Sequence, residues 1–398
     1  MKKLLALVLA ILMVAACFAS CVETANEPEE TKDNGGDAAV TAYKLGGTGP
    51  LTGGAAIYGN AAKNGAEIAV KEINAKGGDI QFELKYEDDT HDAEKAVTAY
   101  NTLKDWGMQI FLGSVTSKPC EATSAEAMAD NYFLLTPSAS STAVLNNGED
   151  AYKGNAFQMC FMDPNQGTAS AKYIFDNKLG EKVAIIYKSD DVYSTGVLET
   201  FKAKADELGL NIVSETAFAD GNDQDFSVQL KDAQDKGADL VFLPIYYTPA
   251  SLIFTQADQM GYKPAWFGID GMDGILTVEG FDTKLAEGVM LLTPFNADAS
   301  DDATVAFVKA YQEAYGEVPN QFAADAYDCV YAIYAALEAG KATPDMDAAT
   351  LKDLLVGQFT SMTFDGLTGE GMTWDETGAV SKAPKGMVIK NGTYVGLE

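Results

Sequence analysis

Hydrophobic and polar positions divide the chain into three stretches. Lys2 and Lys3 precede an unbroken apolar run from Leu4 to Ala16 that closes on small residues before Cys17, the layout of a secretory leader. These thirteen residues would span about 20 Å as a helix. That is short of the roughly 30 Å hydrocarbon core, so a permanent membrane span is the weaker reading. Val22 to Val40 is rich in Glu, Asp, Asn, Gly and Thr and poor in large apolar side chains. It cannot bury enough surface to fold and reads as a tether with an r.m.s. reach of roughly 25 Å.

From Tyr43 onward, short apolar runs alternate with amphipathic stretches, the pattern of βαβ units on a parallel sheet. QIFLG (109–113) and YFLLTPS (132–138) flank SKPCEATSAEAMADN, where Pro119 suits the first turn of a helix. A second block repeats the alternation at KVAIIYKSD (182–190), LNIVSET (210–216) and DLVFLPIYY (239–247). The runs are apolar throughout, as strands covered on both faces must be. The expected fold class is α/β: two α/β blocks with a ligand cleft between lobes. Parallel sheets bind ligands beyond their strands' carboxyl ends, so the polar and aromatic residues just after each run are the candidate site.

Composition narrows the chemistry. The formal charge is −30, from 58 acidic and 28 basic side chains, which disfavours nucleic acid and anionic membrane surfaces as partners. Every basic residue is lysine, so the bidentate guanidinium clamp for phosphates and dicarboxylates is missing. The single histidine, His91 in EDDTHDAEK, reads as a solvated loop residue. One imidazole rules out His-rich zinc sites and a dyad needing a second one. No cofactor and no metal site is expected. Cys120, Cys160 and Cys329 are widely spaced and read as buried free thiols.

Val14-Ala15-Ala16-Cys17 resembles the bacterial lipobox, whose cysteine receives diacylglycerol. Phe18-Ala19-Ser20-Cys21 is the alternative, with Phe18 an unusual residue at the position three before the cysteine. The expected layout is a leader over 1–16 and a lipidated cysteine with acidic tether over 17–42. Outside the cytoplasm the body would then be held to the membrane by lipid.

GPLTGGAAIYG (49–59), NAKGGD (74–79), GSVTS (113–117), TPSAS (136–140), DPNQG (163–167), VYSTG (192–196), IYYTPA (245–250), FGIDG (267–271) and TWDETG (373–378) occur in that order. Together they resemble the leucine/isoleucine/valine-binding protein family of periplasmic binding proteins, over about 350 residues. The resemblance implies two Rossmann-like lobes with a ligand cleft, the type I fold with three hinge crossings. Lobe 1 would comprise 43–161 and 293–378, lobe 2 would comprise 162–292 and 379–398. It further implies a monomer that binds a small amino acid and docks on the permease subunits of an ABC transporter. Family members often carry a disulfide where this chain has His91 and Thr116; its absence fits a Gram-positive cell-surface lipoprotein.

The resemblance assigns roles by position. Ser117 would carry the ligand's α-carboxylate, with an ordinary helix-capping serine as the structural alternative. Ser138 would offer its carbonyl and Ser140 its hydroxyl, against plain turn chemistry. Asp270 would pair the ligand ammonium, and Tyr58, Tyr193, Tyr246 and Phe322 would form aromatic walls over Val115. Counting back from Gln256-Ala257 selects Tyr246, with Tyr247 one step away. Two other readings stay open: a sensor of the same fold for an amide or another neutral amino acid, and an amidohydrolase. The second lacks a G-x-S-x-G elbow, a Walker loop or a metal-ligand cluster to support it.

Overall fold

Strands in this chain sort into two sheets, as its alternating pattern requires. The computed structural model describes residues 42–148 and 151–397. The leader, the candidate lipidation sites Cys17 and Cys21, and the tether up to residue 41 lie outside the described residues. The first sheet holds β1 (Tyr43–Gly49), β2 (Phe82–Asp88), β3 (Ile110–Ser114), β4 (Leu134–Thr136) and β5 (Ala156–Gln158), all parallel in the order β2-β1-β3-β4-β5. Between its strands run α1 (Ala56–Ala75), α2 (Ala93–Trp106) and α3 (Ser117–Ala129).

The chain then crosses to the second sheet through α4 (Asp163–Asn177). There β6 (Val183–Lys188), β7 (Ile212–Phe218), β8 (Leu240–Leu243), β9 (Ala265–Gly268) and β10 (Met290–Thr293) are parallel, linked by α5 (Val192–Leu208), α6 (Ser227–Asp235) and α7 (Tyr247–Gln259). A second crossing leads to α8 (Asp302–Tyr315), α9 (Gln321–Gly340) and α10 (Ala348–Phe359), which return to the first sheet's side, α9 along α1 and α10 against α9 and β3. A third crossing delivers the antiparallel hairpin β11 (Lys385–Lys390) and β12 (Thr393–Gly396) to the edge of the second sheet. The arrangement is the type I periplasmic binding protein fold.

Local chemistry sets the element ends. Asp92 and Asp191 accept hydrogen bonds from the amides of Lys95 and Ser194 and so cap α2 and α5, which close on Gly107 and Gly209 at φ 89° and 74°. Cys329 lies fully buried on α9 between Ala326 and Val330, and Cys120 and Cys160 are buried too, all three as free thiols. Gly65 lets α1 approach α9: a Cβ there would sit 2.0 Å from the Ala323 carbonyl.

Two expectations need correcting. LNIVSET leads into β7, the outer strand of its sheet, and Glu215 and Ala217 on it are exposed. An edge strand is covered on fewer sides than the central β8, whose four residues are all buried. The run DLVFLPIYY is strand only to Leu243. Tyr246 stands at the N-cap and Tyr247 begins α7, because Pro244 supplies no amide to the ladder.

Candidate functional site

The loops after β3, β4, β6, β8 and β9 converge where the two sheets face each other. There Tyr58, Val115, Ser117, Ser138, Ser140, Tyr193, Tyr246, Asp270 and Phe322 line one cavity, joined by Thr116 and Gly271. All nine candidate residues are thus brought together. The space they leave is only about 10 Å³, roughly one water. An occupant as large as an amino acid needs the rings to swing or the sheets to part.

On the first sheet's side, Thr116 takes the N-cap position of α3 but makes no side-chain capping bond. The helix therefore opens toward the cavity with unsatisfied amides. Ser117 is its first residue, and its hydroxyl accepts from the Ser141 amide at 3.2 Å instead of capping α3. Ser138 donates its hydroxyl to the Val115 carbonyl at 2.6 Å, locking the turn after β4 onto the turn after β3. Ser140 is buried.

On the second sheet's side, Asp270 follows β9 in a short 3₁₀ turn. Tyr193 donates its hydroxyl to Asp270 Oδ1 at 2.5 Å, and Gln166 donates Nε2 to Oδ2 at 2.8 Å. Burial pushes the carboxyl up to about 7, although these two donors pull the other way. Among the described residues no lysine pairs with it. A second acid, Asp163, sits beside Ser140, whose carbonyl accepts the Asp163 amide at 3.0 Å. Burial pushes it well above its ordinary value, offset in part by the Ser140 hydroxyl.

Aromatic rings close the space. Tyr246 stacks on Tyr193 with centroids 5.0 Å apart and meets Tyr58 edge-on at 5.3 Å, and Tyr58 packs on Phe322 at 4.3 Å. Tyr247 lies behind Tyr58, receiving the Ile57 amide on its hydroxyl at 3.1 Å, so Tyr246 is the residue facing the cavity. The two halves touch directly: Tyr58 donates its hydroxyl to the Gly271 carbonyl at 2.5 Å, and Thr248 donates to the Gly54 carbonyl at 2.7 Å. Gly271 has to be glycine at this junction, since a Cβ would stand 2.7 Å from the Tyr193 hydroxyl.

His91 is not the solvated loop residue its charged neighbours suggested. It is half-buried, its Nδ1 lies 2.9 Å from the Thr116 hydroxyl, and its ring meets Tyr246 edge-on at 5.5 Å. A hydrogen bond therefore joins the two loops that a disulfide would join in related chains. Sequence reasoning missed Thr116, Gly271, Gln166 and His91. The first three fall within the quoted segments GSVTS, FGIDG and DPNQG. Nothing local to EDDTHDAEK signals that the ring turns inward.

The sequence matches a family model described as periplasmic binding protein over residues 42–393. A Leu/Ile/Val-binding protein homolog of Brucella melitensis is 29% identical over 369 residues, covering 91% of this chain and 95% of that one. Two crystal structures are each 26% identical and cover 89% of this chain. One is the leucine-binding protein LivK of Thermotoga maritima, with TM-score 0.79 and 98% of that chain covered. The other is the substrate-binding protein LivJ of Streptococcus pneumoniae in complex with isoleucine, with TM-score 0.78 and 100% of that chain covered.

Proposed function

Because the chain belongs to the periplasmic binding protein family, we propose that it captures a small zwitterionic amino acid, a branched-chain one foremost, and presents it to the permease subunits of an ABC transporter. The observation that carries this reading is Asp270, a buried carboxylate held by two neutral donors and no cation. An incoming ammonium supplies the missing charge partner. Opposite it, the open N-terminus of α3 with Ser117, and Ser140 beside it, receive the carboxylate without a guanidinium. Val115, Tyr58, Tyr246 and Phe322 take the aliphatic part, and Ser138 supports the turn beside them.

We assign the moving bodies as 43–161 with 293–378 and 162–292 with 379–398. The described structure is the shut form, and ligand enters when these lobes part. We further assign the protein to the outer side of the cytoplasmic membrane, as a monomer lipidated on Cys17 or Cys21. The relatives from Gram-negative bacteria favour the periplasm over a Gram-positive surface. A sensor of the same fold reads the same pocket, and its membrane partner alone separates the two roles.

Calorimetry against the neutral amino acids, paired with small-angle scattering, tests the reading. Leucine, isoleucine or valine should bind and give a radius of gyration no larger than that of the ligand-free protein. Glutamate and aspartate should show no micromolar binding, since burying a second, unpaired carboxylate costs several kcal/mol. Tight glutamate binding, or no response to any neutral amino acid, would overturn it.

A further inference from the structure

We propose that His91 is the clasp of the shut form, a positioning residue whose ring, aimed by a strained turn on one lobe, holds Tyr246 of the other over the ligand pocket. The inference rests on the two-lobe reading above.

The turn is built to aim that ring. Thr90 and His91 have φ of 50° and 62°, two successive side chains in the left-handed region, one of them β-branched. Three aspartates hold them there. Asp88 accepts the amides of Leu51 and Thr90 at 2.8 and 2.9 Å and the Thr52 hydroxyl at 2.6 Å. Asp89, fully buried, accepts the His91 amide at 2.9 Å. Asp92 caps α2. A loop that only connected β2 to α2 would not need such reinforcement. Here it directs the imidazole onto Thr116, itself a wall of the cavity, and onto Tyr246. Tyr246 stacks on Tyr193, which bonds Asp270. Thr116, His91, Tyr246, Tyr193 and Asp270 thus form a continuous line across the pocket from the first sheet to the second.

The charges around the ring make the clasp sensitive to acid. Lys118 on α3 and Lys188 at the end of β6 disfavour a cation there, while Asp220 beyond β7 and Asp92 on its own loop favour one. Lys188 is paired with Asp220 at 2.5 Å. Asp191, at the start of α5, lies beside Tyr246. Burial first and the two lysines second push the imidazole down to about 4, so the clasped ring is neutral. When the lobes part, Lys188, Asp220 and Tyr246 leave with the other lobe, and the ring regains an ordinary value near 6.5. The parted form then binds the proton that the shut form refuses. Clasping is intact above about pH 6.5 and weakens as pH falls toward 4.

One histidine in the whole chain makes the test direct. NMR titration of the labelled imidazole in the ligand-free, full-length protein should give a midpoint below about pH 5. Tyr246→Ala should move it at least one unit toward 6.5, while Tyr246→Phe, which keeps the ring, should restore the low midpoint. A wild-type midpoint near 6.5, or one that Tyr246→Ala leaves in place, overturns the clasp. In stopped flow with isoleucine as probe, His91→Ala should release ligand about tenfold faster at pH 7. Release from wild type should accelerate as pH falls from 7 to 5 more steeply than release from His91→Gln, which keeps only the share due to Asp270 and Asp89, both raised to about 7; equal rates and equal pH profiles would also overturn it. If isoleucine fails to bind wild type, the branched-chain reading fails, and the ligand-free titration alone decides the clasp.

Discussion

Two buried aspartates in this molecule meet opposite arrangements. Asp325 on α9 is paired with Lys382 at 2.8 Å, both side chains essentially without solvent exposure, where the chain crosses to the second sheet for the last time. Lys382 also donates to the Thr368 hydroxyl at 2.6 Å. That hydroxyl donates to Asp328, which further accepts the amides of Leu367 and Thr368. Among the described residues Asp270 meets no cation, only the hydroxyl of Tyr193 and the amide of Gln166. The difference separates two uses of a buried charge. At the crossing the chain supplies its own counter-ion and the junction is complete. In the pocket the charge is oriented by neutral donors, with no counter-ion among the described residues.

The largest expected effect breaks the complete pair. Lys382→Met leaves Asp325 and Asp328 buried without a cation, and chemical denaturation should show a loss of about 3–5 kcal/mol. A loss under about 1 kcal/mol would mean that water already screens the crossing and the contrast with Asp270 is false.

The second prediction removes charge from the pocket. Asp270→Asn should weaken amino-acid binding at least tenfold, a change of about 1.4 kcal/mol. The stability of the ligand-free protein should stay within about 1 kcal/mol of wild type. The Tyr193 hydroxyl can still donate to the Asn oxygen, and Gln166 can turn its unpaired Oε1 toward the new amide. Calorimetry showing affinity within about threefold of wild type would remove Asp270 as the ammonium partner.

The smallest effect is a pH dependence that tells the two acids apart. In the shut, ligand-free form Asp270 is pushed up to about 7 and Asp325, despite Lys382, to about 6. An acid with a raised value in the folded state binds its proton more tightly there than when unfolded. Its contribution to stability therefore declines as pH climbs from about 4 toward those values. Between pH 5 and 8 the ligand-free wild type should lose roughly 1–2 kcal/mol more than Asp270→Asn. Ligand reverses the sign for this one group, because pairing an ammonium requires the ionised form, so affinity should rise with pH through about 7. Parallel stability curves for wild type and Asp270→Asn would show that Asp270 does not titrate in this range.

The site was legible in the sequence to different depths. Residues after apolar runs were readable because parallel strands end on the same edge, which places Ser117, Ser138, Tyr246 and Asp270 on a common rim. Tyr58, Tyr193 and Phe322 lie on helices; the first two came from ordered motifs shared with a family and Phe322 from a matching family position, none from periodicity. His91 was misread because five acidic residues in EDDTHDAEK suggest a solvated turn. In the fold Asp88, Asp89 and Asp92 each accept from nearby donors, chiefly backbone amides, and the imidazole turns inward.

By itself, then, the order of apolar runs, glycine-bearing turns and helical stretches determined the α/β class, the parallel sheets and the edge where a ligand would sit. These follow from local periodicity and the geometry of strand ends, which any chain with that pattern shares. Tertiary structure decided which buried acid receives a lysine and which is left with neutral donors, how little space the rings leave, and that a lone histidine faces a tyrosine about 150 positions away. Those outcomes depend on residues distant in sequence arriving at one place, and burial there changes what each charge costs.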